Sequence, residues 1–171
     1  FVSIGYIGDY RFMGARKQAK SIRNKLRESG AKYTLSYFDE STEDDPRWGW
    51  GHHHARDDYV KILEKVLNND SLGLVIKPKK PSSLRKKLGN VSELLDHALA
   101  TGRCIVLGEK DHVTTPAEAA LASDIAISNN LWGGTAALES ALAGVPTIVL
   151  DREGWTKLGF TDCYGRKQGT V

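Results

Sequence analysis

Short, continuous apolar runs alternate along this chain with apolar stripes spaced three and four residues apart. Continuous runs suit strands buried in a parallel sheet, and the stripes suit amphipathic helices packed against one. The runs fall at residues 1–7, 33–38, 72–77, 103–107, 124–128 and 146–150. Between the first two, Phe12, Ala15, Ala19, Ile22 and Leu26 make a helical stripe that stops before Gly30. Tyr59, Ile62, Leu63, Val66 and Leu67 follow the i, i+3, i+4, i+7, i+8 rule, and Val91, Leu94, Leu95, Ala98 and Leu99 form a further stripe. Thr115-Pro116-Ala117-Glu118 is a capping box with proline in the first helical position, so another helix starts there. The alternation predicts a single domain over residues 1–171 of the α/β class. Its sheet is doubly wound, mainly parallel and Rossmann-like, with about six strands and helices on both faces.

In such sheets ligands bind at the carboxyl ends of the strands, where the strand order reverses. That rule gathers the loops 5–11, 39–54, 77–83, 108–115 and 128–135 onto one rim. The last of these holds the most informative stretch, residues 124–151, which reads as strand, glycine turn, small-residue helix and strand. Gly133 and Gly134 let the backbone turn sharply and approach a ligand closely. The helix after them points its unpaired N–H groups and positive dipole end into the turn. Glu139, four residues beyond Thr135, shares a face with that end, where a carboxylate accepts from ribose hydroxyls. Turns of this kind also occur in crossovers that bind nothing.

Composition adds limits. The chain has 171 residues, 40% hydrophobic and 26% charged, which is globular composition and enough for one buried core. No apolar run approaches the ~20 residues that span a bilayer. Two cysteines make no disulfide framework, so a reducing cytoplasm is expected. The net charge of +3 is modest, but its distribution is uneven. Arg11, Arg16, Lys17, Lys20, Arg23, Lys25 and Arg27 crowd one predicted helix, either as a solvated face or as a surface for anionic membranes or glycans. The first residues already read as strand and the Gly-rich end closes no sheet, so the chain is expected to be one lobe of a larger protein.

Other rim residues suggest chemistry with alternatives attached. Lys77 and Lys79, in a proline-stiffened Lys-Pro-Lys-Lys-Pro turn, can offset phosphate charge or simply face solvent. His53 and His54 belong to a three-histidine run whose members cannot converge on one ion, so contact with phosphate or sugar competes with a plain helix-start surface. Arg11, with Asp9, follows the first strand and clamps a diphosphate or makes a surface ion pair. Trp48, Trp50 and Trp132 stack on a base or a sugar, or belong to the core. Glu109, Asp111 and His112 lie at no fixed catalytic spacing, so no catalytic residue is assigned. There is no G-x-G-x-x-G after the first strand, no Walker A loop, no nucleophile elbow and no nucleic-acid-binding signature.

The Lys-Pro-Lys-Lys-Pro turn, followed by the segment DIAISNNLWGGTAALESALAGVPTIVLD, resembles the carboxy-terminal, donor-binding lobe of GT-B glycosyltransferases. The similarity is to bacterial enzymes of capsule and lipopolysaccharide biosynthesis, and Tyr37–Ser41 with the Trp/His loop after it agrees. The resemblance implies a nucleotide-sugar donor bound as substrate, with no metal and no other cofactor. Ser128 and the backbone of Gly133, Gly134 and Thr135 would hold its phosphates, Glu139 its ribose, and the loop 109–115, with Thr114 and Thr115, its base. It also implies a glycan acceptor, a separate amino-terminal lobe that supplies the catalytic base, and a cytoplasmic location with peripheral contact to the inner membrane, but no nucleic-acid partner. Lys79-Lys80-Pro81 departs from the His-Pro pair of CMP-sugar enzymes. Leu131 stands where the retaining pattern has its first glutamate. A nucleotide-sugar 2-epimerase or polyol-phosphate transferase on the same architecture remains an alternative, as does a non-enzymatic anion- or membrane-binding module.

Overall fold

The computed structural model describes residues 8, 10–44, 51–108, 114–129 and 134–151. The elements run α1 (Arg11–Glu28), β1 (Tyr33–Phe38), α2 (His52–Leu67), β2 (Leu72–Lys77), a 3-10 turn (Pro81–Ser83), α3 (Leu84–Leu88), α4 (Val91–Ala100), β3 (Cys104–Val106), α5 (Pro116–Leu121), β4 (Ile125–Ser128), α6 (Thr135–Leu142) and β5 (Thr147–Val149). The five strands form one parallel sheet in the order β3-β2-β1-β4-β5. This is the α/β class read from the alternation. The expected strand at residues 1–7 lies outside the described residues.

The chain winds outward from β1 through β2 to β3, then crosses back to β4 and continues to β5. The order therefore reverses between β1 and β4, whose carboxyl ends meet where Phe38 aligns with Ser128. The core falls into two clusters. One joins Ala19, Ile22 and Leu26 of α1 and Ala119 and Ala120 of α5 to Phe38, Val75 and Ala126. The other joins Tyr59, Leu63 and Val66 of α2 and Leu84, Leu88, Leu95 and Ala98 of α3 and α4 to Tyr37, Leu74 and Ile76. Successive residues of β1 and β2 enter different clusters because side chains alternate across a strand. Gly73 on β2 permits close packing under α1, since a Cβ there would lie 2.9 Å from Ala31 Cβ.

Three strands, β3, β4 and β5, are a residue or two shorter than their apolar runs. Arg103, just before β3, still accepts from the Leu74 N–H at 2.8 Å, and its guanidinium donates to the carbonyls of Val66, Asn69 and Leu72 at 2.7–3.0 Å, tying the strand to the end of α2. Asp124, just before β4, donates its N–H to the Thr34 carbonyl at 2.8 Å, while its carboxylate accepts from the Thr34 N–H and pairs with Arg23, tying α1 to the amino edge of the sheet. Pro146 lacks the N–H that a strand residue would donate.

Cys104 sits buried on β3, and desolvation pushes its thiol from about 9 up to about 12. The folded thiol holds its proton more tightly than the unfolded one. Its contribution is therefore complete below pH 9 and is lost as pH rises through 12. The buried Tyr59 hydroxyl, raised well above 10 chiefly by desolvation and then by Asp39, steepens the fall at the alkaline end. Urea midpoints are expected to drop progressively above pH 9, and less steeply in Cys104→Ala. Equal slopes for the two proteins would show that the thiol does not carry the effect.

Candidate functional site

Parallel strands bring all five carboxyl ends to one rim. In register across it stand Lys77 on β2, Phe38 on β1 and Ser128 on β4. Lys77 and Ser128 are two strand spacings apart, about 10 Å, and share one side of the sheet because aligned residues of parallel strands point the same way. Phe38 packs in the cluster containing α1 and α5, so this side is also that of α5 and α6, which pack on each other.

Burial holds the half-buried Lys77 ammonium below its ordinary range. Asp39 pulls it back up, Lys79 pushes it further down, and Glu118 and Glu139 pull it up. Its Nζ donates to the Pro78 carbonyl at 3.2 Å. An anion arriving here would relieve a desolvation cost already imposed by the fold.

Two of the helices that start at this rim, α5 and α6, differ in what their amino ends offer. On α5, Thr115 Oγ1 accepts from the Glu118 N–H at 3.4 Å, the expected cap, and Glu139 Oε1 accepts from the Ala117 N–H at 3.2 Å. On α6, Gly134 occupies the cap position and has no side-chain oxygen to offer the first amides, which begin with the exposed Thr135. Glu139, expected at the ribose, is buried where α6 meets α5. Ser128 is buried at the end of β4, its carbonyl accepting from the Leu150 N–H. Thr114 is partly exposed just ahead of α5. Gly133, Asp9, the three rim tryptophans, Glu109, Asp111 and His112 lie outside the described residues.

Asn129 follows Ser128 and was not singled out by its sequence. Its backbone N–H donates to the Phe38 carbonyl at 3.1 Å, which fixes it at the point of reversal. The residue is 1% exposed, and among the described residues neither its Oδ1 nor its Nδ2 has a hydrogen-bond partner. A buried amide without partners costs on the order of 1–3 kcal/mol, and a bound polar group would offset it.

Lys79, His53 and His54 fall on the other side of the rim, with α2 and α3. The Lys79 N–H donates to Asp39 Oδ1 at 2.6 Å, and its ammonium lies 3.4 Å from Glu40. Asp39 Oδ2 accepts from Lys87 Nζ at 2.6 Å and from the Tyr59 hydroxyl at 3.0 Å, all three residues being buried. This network pins the Lys-Pro turn from beneath. His53 and His54 open α2, with ring centroids 4.0 Å apart. Their neighbour His52 contacts Thr42 Oγ1 through Nδ1 at 2.7 Å and donates its N–H to Asp44, which caps the helix from a distance. Among the described residues no three His, Cys, Asp or Glu side chains converge as metal ligands. Arg11 begins α1 at the same rim, with Nε donating to the Tyr10 hydroxyl at 3.0 Å and the guanidinium over that ring.

No protein-family model matches the chain, and no curated protein is significantly similar to it. Two open depressions among the described residues lie elsewhere, at the amino edge of the sheet. One, of about 400 Å³, is lined by Gly30, Lys32, Ser71 and Arg103, and the other, of about 540 Å³, by Lys61, Glu64, Asn68 and Leu72. Both lie at the opposite end of the strands from Lys77 and Asn129. No described helix is long and apolar enough to cross a membrane.

Proposed function

We propose that this chain is the donor-binding lobe of a metal-independent GT-B glycosyltransferase of surface-polysaccharide biosynthesis. In this reading the sheet is a doubly wound, Rossmann-like one of about six strands with helices on both faces, and residues 1–7 supply the sixth. The donor's phosphates lie between Lys77 and the amino end of α6. The supporting observation is the coincidence, near the reversal of strand order, of a cation desolvated by the fold, a helix end whose cap residue is a glycine, and an Asn129 amide with no partner among the described residues. The lysine and the helix dipole would stabilise the charge that develops on the departing nucleotide. Asn129, offering both a donor and an acceptor, matches a group that both donates and accepts, such as a sugar hydroxyl or a base edge. The acceptor is a glycan, and the catalytic base would come from a separate amino-terminal lobe.

Titration calorimetry with UDP, CDP, CMP and GDP tests this. At least one nucleotide is expected to bind, and Lys77→Met is expected to weaken it tenfold or more, the worth of a charge-assisted phosphate contact. Lys61→Gln, on the exposed face of α2, should leave binding unchanged. A folded chain that binds none of the four, or binds one equally well as Lys77→Met, would falsify the reading.

A further inference from the structure

The outer face of α1 has no place in that reading. The helix carries seven basic residues and one acidic residue, a positive excess larger than the +3 net charge of the entire chain. The rest of the molecule is therefore net acidic, and the positive field is concentrated on one rod.

The inner stripe of α1, Ala15, Ala19, Ile22 and Leu26, is buried in the core. Arg23, at the edge of that stripe, is consumed by its pairing with Asp124. Stepping 100° per residue from the buried stripe places Arg16, Arg27, Lys20, Met13, Asn24 and Lys17 in one continuous arc opposite it. All six are exposed, and Arg16, Lys17, Lys20 and Arg27 make no ion pair with any described residue. From Met13 to Arg27 the stripe is about 21 Å long. Met13 is 81% exposed, and Tyr10, just before the helix on the same side, is 67% exposed.

We propose that this stripe docks the protein on an anionic lipid bilayer. A straight row of cations on one side of a rigid helix can meet a plane with every charge at once. Met13 and Tyr10 then contribute apolar contact at the headgroup level, a use that a soluble polyanion does not offer. The helix runs antiparallel to the strands, because its carboxyl end hands over to the amino edge of β1 through Ala31 and Lys32. Its amino end, with Tyr10 and Met13, therefore lies at the rim that carries Lys77, and docking brings that rim to the lipid surface. The proposal stands independently of nucleotide binding.

Flotation of the full chain with phosphatidylcholine vesicles, alone or with 30% phosphatidylglycerol, tests it. Binding is expected only with the anionic lipid and is expected to be lost as salt rises from 0.05 to 0.5 M. Each neutralised charge should weaken binding about fivefold, so the combined Arg16→Gln, Lys17→Gln, Lys20→Gln, Arg27→Gln variant should lose several hundredfold. Met13→Ser should lose several-fold with no change in salt dependence. Lys61→Gln with Lys65→Gln, on α2, should bind like the parent. Circular dichroism confirms that each variant is folded. Equal binding to neutral vesicles, retention by the fourfold variant, or tighter binding to heparin or a short RNA than to vesicles at 0.15 M salt would overturn the proposal.

Discussion

Lys87→Met is expected to lower the unfolding free energy by about 3–5 kcal/mol, measured by urea denaturation near neutral pH. Methionine keeps the length and apolar character of the lysine stem, so little cavity forms and the loss reports the missing ammonium. The Asp39 side chain is fully buried, and Lys87 Nζ, 2.6 Å from Oδ2, is its charged partner. Without it the carboxylate keeps only neutral donors, the Lys79 N–H at 2.6 Å and the Tyr59 hydroxyl at 3.0 Å. The Glu40 carbonyl also loses a donor. A companion double variant, Asp39→Asn with Lys87→Met, should recover part of the loss, because the stranded charge rather than the missing bond is the larger cost. A loss below about 1 kcal/mol in the single variant would mean that water reaches the pair. Since Asp39 also holds the Lys79 amide, the single variant is further expected to loosen the Lys-Pro turn and raise exchange at that amide.

Arg103→Leu is expected to cost about 2–4 kcal/mol, because one Nη1 serves three carbonyls at the end of α2 and the start of β2. Val66 lies in the last turn of α2, where carbonyls lack helical partners, and no other described side chain donates to any of the three. Arg103→Lys should recover less than half of the loss, since a single ammonium on a flexible stem lacks the planar fork. Asp70→Asn should change stability little, because the Asp70 side chain is 98% exposed although its carboxylate lies 2.9 Å from the guanidinium. The check is thermal and urea unfolding of the three variants side by side. Full rescue by lysine would show that charge alone, and not the carbonyl fork, is what the fold uses.

Periodicity made the α/β class legible in the chain. The stripe from Phe12 to Leu26 and the capping box at Thr115 each describe neighbours one turn apart, and both recur in the structure at the expected residues. The short helix Leu84–Leu88 escaped notice because Pro81 and a run of basic residues look like loop. Nothing in Arg85-Lys86-Lys87 distinguishes the one lysine that turns inward, because its partner stands 48 positions earlier. Asn129 was equally silent, since an unpartnered amide is a property of its surroundings. The candidate site was legible only as a rim. The structure divides its predicted members, placing Lys77, Ser128, Thr115, Thr135 and Glu139 with α5 and α6, and Lys79, His53 and His54 with α2 and α3.

What the sequence determined by itself was whatever depends on residues a few positions apart: strand and helix identity, the alternation that implies a parallel sheet, the α5 cap, and the crowding of charge on α1. Only the tertiary structure decided the order β3-β2-β1-β4-β5 and the place where it reverses. It also decided the pairing of Asp39 with Lys87, and which four cations of α1 share an open face. Those outcomes are set by packing and desolvation between segments distant in the chain, where the free energy of one side chain depends on neighbours that its local pattern does not encode.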